Sequence, residues 1–220
     1  MCDFSLEHYQ EILDLAKSQG YAFKSFLEKP SFNTVYLRHD IDLSLEKALD
    51  FAKIEKERGI KATYFLQTDG PFYNVFDKEG LAIMNQIYYL GHEIGLHYNK
   101  GNMEKQVKAL NIKKLVSFHR SPKEFLGKKI KGFVSACEPR FFQEIKYVSE
   151  SNNFWREGCV CQILKEKKFP QIQILVHPIW WQNSFNNSTD LLNDYLKKYP
   201  EERQEELRDY LRKNIKSYSS

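Results

Sequence analysis

Near the N-terminus, Leu6, Tyr9, Ile12, Leu13 and Ala16 recur at helical spacing and predict an amphipathic helix. The period then changes. Residues 35–42 begin with the apolar run Val35-Tyr36-Leu37 and predict a strand. Ser44 stands where an N-cap is needed, ahead of a stripe of Leu45, Ala48, Leu49, Ala52 and Ile54 that Gly59 closes. Residues 61–67 predict the next strand, residues 77–90 a helix running up to Gly91, and the stretch EIGLHY a third strand. Residues 102–110 are helical in pattern and residues 114–120 strand-like. Residues 132–137 and 144–149 make weaker strands, and residues 171–177 a strong one. From Ser188 to about residue 217 the tail is helical, with acidic residues early and basic residues late in its last segment, as the helix dipole favours. Strands alternating with helices imply parallel strands in an α/β layer or barrel, whose chemistry gathers at the C-terminal strand ends.

Composition narrows the class. The chain has 220 residues, 42% hydrophobic and 15% aromatic, enough for one sizeable core, and residues 1–220 are expected to form a single domain. No repeat, low-complexity tract or linker interrupts it. The 33 basic and 29 acidic residues are mixed along the chain, and no basic stripe is interleaved with stacking aromatics, which argues against a nucleic-acid partner. Lys123, Lys128, Lys129 and Lys131 form one local basic cluster that reads as solvated loop. No stretch approaches the roughly 20 apolar residues of a membrane span. No signal-peptide pattern opens the sequence, so a cytoplasmic location with four free thiols is expected. Cys159 and Cys161 form a CxC pair with no second pair to complete a zinc site, and read as structural. Oligomeric state is not legible.

The candidate chemistry lies at strand ends. His39, His97, His119 and His177 all fall at or just before a predicted strand C-terminus, whereas His8 on the first helix reads as a surface residue. In LRHDID, Asp40 and Asp42 are two apart and point to one side of an extended backbone. Two converging carboxylates repel unless a cation intervenes or one is protonated. A divalent metal would resolve this, one Asp ligating and the other acting as a base on metal-bound water. A salt-bridge cluster with Arg38 or Arg120 would resolve it equally well. His92 and His97 are five apart and diverge on either a helix or a strand. His97 is therefore the ligand candidate, and His92 braces a turn. Trp180 and Trp181, just beyond His177, suit either a sugar-stacking surface or a core.

Taken in order, RHDID, ATYFL, GHEIGLHY, SFHRSP, FWREG and ILVHPIWW resemble the polysaccharide deacetylase family, the NodB-homology or carbohydrate esterase 4-like proteins, over about residues 35–181. The resemblance implies a distorted (β/α) barrel, here with extra N- and C-terminal helices, and a divalent metal, zinc above all. It also implies hydrolytic removal of an N-acetyl group from an amino sugar or glycan precursor in surface glycan biosynthesis. By the same resemblance Asp40 is the catalytic base, Arg120 holds it in a motif shared with Pro122, and Asp42 and His97 are metal ligands. His177 protonates the leaving amine, Leu175 lies in the acetyl-binding motif, and Trp155 with Arg156 and Glu157 lines the pocket. Trp180 and Trp181 complete the expected substrate-binding set.

Two departures stand out. The family's second metal histidine falls at Gly101, and His119 is expected to replace it. No acid clearly partners His177, and Glu157 is expected in that role. Two other functions fit the same residues: a C–N hydrolase for a formamido sugar or cyclic amide, and a catalytically degenerate glycan-binding protein.

Overall fold

The computed structural model describes residues 3–120, 123–182, 185 and 187–218. Among the described residues eight strands form one all-parallel sheet: β1 (Ala22–Phe23), β2 (Thr34–Ile41), β3 (Thr63–Leu66), β4 (Glu93–Tyr98), β5 (Leu115–Phe118), β6 (Val134–Ser135), β7 (Lys146–Ser149) and β8 (Gln171–Val176). The spatial order is β6-β5-β4-β3-β2-β8-β7, with β1 paired to the start of β2. The helices are α1 (Leu6–Ser18), α2 (Leu45–Glu57), α3 (Lys78–Tyr89), α4 (Met103–Leu110), α5 (Pro139–Phe142), α6 (Val160–Glu166), α7 (Ser188–Leu196) and α8 (Glu201–Asn214). A single 3-10 turn, Pro178–Trp180, follows β8. Among the described residues no helix is long and apolar enough to cross a membrane.

The sheet is curled. On a flat sheet β5 and β2, with β4 and β3 between them, would lie roughly 14 Å apart. Yet Ser117 Oγ on β5 donates to Asp40 Oδ1 on β2 over 3.1 Å. The curl makes a distorted barrel, open between β6 and β7, where no ladder joins the described residues. Gln173 on β8, wholly buried, crosses the interior instead: its Nε2 donates to the carbonyls of Ala136 and Phe141 over 3.1 and 2.7 Å.

Strand parity sorts the side chains into layers. Inside, Phe26, Tyr36, Phe65, Leu115, Ala136 and Phe141 plug the bottom of the barrel. A Cβ on Gly95 of β4 would sit 2.5 Å from the Phe65 ring, so only glycine lets this plug close. Outside, alternate strand residues such as Leu37, Leu66, Leu96 and Ile174 pack under the helices in the main core.

The helices start where the side chains supply caps. Ser5, Ser44, Asp77 and Asn102 each accept a backbone N–H from the first turn of α1, α2, α3 and α4. The helical tail is broken in two, since Pro200 stands between α7 and α8. Two predicted strands shrink: residues 132–137 to the two-residue β6, and residues 144–149 to β7. The short α5 and α6 lacked enough turns to show a period. His8, expected at the surface, is buried, its ring 6.2 Å from that of Trp181.

Candidate active site

Parity carries Arg38 and Asp40 up one face of β2, above the aromatic plug, into the mouth of the barrel, with Asp42 just past the strand's end. The cleft there has a volume of about 690 Å³. Asp40 is buried and gripped at both oxygens by Arg38: Nε donates to Oδ1 over 2.8 Å and Nη2 to Oδ2 over 2.7 Å. Burial by itself would raise the Asp40 carboxyl. The Arg38 guanidinium, with His97 behind it, outweighs burial and holds the pKa below its usual value.

Asp42 sits one layer higher. Its Oδ1 lies 3.1 Å from His97 Nε2 and 3.1 Å from His119 Nδ1, and accepts from Gln67 Nε2 over 2.8 Å. Burial opposes ionisation here too, but the hydrogen bonds of His119 and His97 hold the carboxyl well below its ordinary range. One ligand atom from each of Asp42, His97 and His119 lies within 4.8 Å of the others. A carboxylate and two imidazoles at such spacing suit a zinc-type site that keeps an open position. His97 Nδ1 meets Ser117 Oγ at 2.6 Å, so an Nδ1–H donated there leaves Nε2 free to ligate. Tyr210 OH of α8 lies 3.4 Å from His119 Nε2, on the far side of that ring.

His177 follows β8 and faces the same mouth, with Nε2 3.9 Å from Asp42 Oδ2. Its Nδ1–H is held by the Glu150 carbonyl at 2.9 Å and by Glu150 Oε2 at 2.8 Å. Trp181 Nε1 donates to the other carboxylate oxygen over 3.0 Å. Burial would lower the imidazole, but the hydrogen bond and charge of Glu150, with Asp42 and Asp40 beyond, push it up to about 9. Glu150 is itself pushed up, because its burial outweighs the help of His177 and Trp181. The proton between them therefore belongs to the pair, and the carboxylate contact favours placing it on the imidazole.

Several expected residues take other positions. Arg120 does not hold Asp40. The strand ends at Phe118, His119 turns inward, and Arg120 adopts φ 52° with Nη2 donating to the Lys213 carbonyl over 2.8 Å. Pro122 lies outside the described residues. Glu157 pairs with Lys146 rather than His177. Trp181 is wholly buried and Trp155 nearly so, stacked on Phe4, and neither lines the cleft. Trp180, Leu175, Arg156 and Glu157 do line it. At Gly101, φ is 91°, where a histidine would be strained, and its carbonyl accepts from Tyr98 OH. His39 has the opposite parity to Asp40. It leaves the cleft for a buried network beneath α2, with Nε2 2.6 Å from Glu55 Oε1, while Tyr64 OH donates to Glu55 Oε2 over 2.7 Å. His92 joins there as a brace, Nε2–H donating to the Ala52 carbonyl and Nδ1 accepting from Ala62 N–H.

No family model matches the chain, and no curated protein does. Among solved structures, Streptococcus pyogenes deacetylase PplD in complex with acetate aligns with a TM-score of 0.41 at 16% identity, over 85% of this chain and 84% of that one. Bdellovibrio bacteriovorus peptidoglycan deacetylase Bd3279 aligns with a TM-score of 0.40 at 13% identity, over 82% of this chain and 54% of that one. At this level of likeness neither alignment assigns a role to any residue of this chain.

Proposed function

We propose that the chain is a metal-dependent amide hydrolase that removes an N-acetyl group from an amino sugar or glycan precursor. The observation that supports it most is the stacking of Asp40, the Asp42–His97–His119 set and the Glu150-backed His177 in one barrel mouth. A zinc ion held by Asp42, His97 and His119 would act as a Lewis acid on the amide carbonyl and acidify a water molecule.

The chain's own groups supply the rest. Asp40, ionised and fixed by Arg38 and Ser117, accepts the proton of the attacking water. His177, its Nδ1–H locked on Glu150, presents Nε2 to the leaving nitrogen and donates a proton as the C–N bond breaks. A C–O bond forms, acetic acid (which ionises to acetate in solvent) and a free amine leave, and the proton on Asp40 returns to His177 through solvent. Leu175 supplies an apolar wall suited to the acetyl methyl.

The test is acetate release from N-acetylated amino sugars and their oligomers, assayed with zinc present. Asp40→Asn should abolish turnover while leaving bound metal unchanged. His97→Ala and His119→Ala should each lose the metal. Near-normal rates in Asp40→Asn, or full metal retention in His119→Ala, would overturn the assignment. Formamido sugars belong in the same panel, because a smaller acyl group meets the same groups. The pure glycan-binding alternative loses support, since Trp155 and Trp181 are core residues.

A further inference from the structure

Away from the cleft, the CxC pair finds the third donor that its sequence neighbourhood lacks. His8 of α1 brings Nε2 to 3.2 Å from Cys159 Sγ and 3.7 Å from Cys161 Sγ. The three donor atoms lie within 4.8 Å of one another, and His8 and Cys161 are buried while Cys159 is half-buried. A tetrahedral zinc with ordinary Zn–N and Zn–S bonds sets its nitrogen and sulfur ligands about 3.6 Å apart, which these two distances bracket.

The other face of the imidazole is also committed. His8 Nδ1 lies 3.0 Å from Glu11 Oε2, one turn further along α1. That contact fixes the tautomer with the proton on Nδ1 and leaves the Nε2 lone pair aimed at the two sulfurs. A carboxylate behind a histidine whose far nitrogen faces thiols is the outer-shell arrangement of zinc-bound histidines. A merely structural CxC has no need of it. The ring is further held by Trp181, whose indole lies 21° from parallel to it.

We propose that His8, Cys159 and Cys161 form a zinc site, separate from the cleft, that pins α1 to the start of α6. Two thiolates and one imidazole supply three of the four ligands of a tetrahedral zinc. Binding displaces one proton from each thiol to solvent and requires no oxidant. The site stands independently of the proposed function.

The test uses the full-length protein, purified under reducing conditions, stripped of metal and reloaded with cobalt(II). Cobalt on Asp42, His97 and His119 has no sulfur ligand, so an intense sulfur-to-cobalt charge-transfer band in the near ultraviolet reports this second site. The wild type should show that band and hold one metal per chain more than the Cys159→Ser/Cys161→Ser variant, whether or not the cleft is loaded. The band should persist in Cys137→Ser and in His97→Ala, and disappear in Cys159→Ser/Cys161→Ser with the loss of one metal. Absence of the band in the wild type would overturn the proposal without recourse to any variant. So would its survival in the double variant, or a Cys159–Cys161 disulfide found by mass spectrometry in the reduced protein.

Discussion

Replacing Arg38 with lysine keeps a positive charge beside Asp40 but removes the two-pronged hydrogen bond that fixes the carboxylate. Misplacing a reacting group by about 1 Å can cost roughly 100-fold, so kcat for Arg38→Lys should fall by about that factor. Bonds to the ionised form are lost, so the Asp40 pKa rises and the acid limb of the pH–rate profile moves to higher pH. In Arg120→Ala that limb should stay where it is. The reverse result would restore Arg120 as the holder of the base. On the alkaline side, Glu150→Gln should draw the limb down from about 9 toward the ordinary imidazole value, because the carboxylate that raises His177 is gone. Alternation of side chains on a strand made part of this legible. Positions 38, 40 and 42 share a face, and His119 and Arg120 cannot share one on regular strand. What it could not show was Glu150, which closes on His177 across a strand pairing between β7 and β8 that links residues far apart in sequence.

Helix α8 forms one wall of the cleft at the scale of whole elements. It touches His119 through Tyr210 and holds Arg120 through the Lys213 carbonyl. It also buries Leu207 and Leu211 completely. Leu211→Ala should therefore destabilise the protein by about 2–5 kcal/mol, read as a lower urea midpoint at unchanged slope. Longer elements were readable because several turns or a capping residue announced them, as with Ser44 ahead of α2. β1, α5 and α6, of two to seven residues, carry too little pattern, and their place is set by neighbours distant in the chain. The same distance hid the partner of the CxC pair, which lies on the first helix.

Over the whole molecule, stability should narrow on both sides of neutral pH. His92 is lowered chiefly by burial, and Glu55 is lowered because His39 and His92 outweigh its burial. Groups with depressed folded pKa values withdraw stability as pH falls, first below about 6.5 for His92 and then below about 4.5 for Glu55. His177 is raised, so its contribution is complete below about 6.5 and is lost as pH climbs through about 9. Thermal melts across that range, with chelator present, should peak near neutrality; a melting temperature rising steadily to pH 10 would contradict this.

The Gln173 side chain has a consequence at the same scale. Its amide is the fastening across the gap between β6 and β7, and its Oε1 accepts from Arg38 Nη1 over 3.4 Å. One side chain thus ties the segment that follows β6 to β8 and steadies the guanidinium that aims the base. A wall latched in this way can swing without unzipping a ladder, so amide exchange at β6 should outpace that at β2. Gln173→Leu should accelerate it further and blunt turnover, even though residue 173 does not line the cleft.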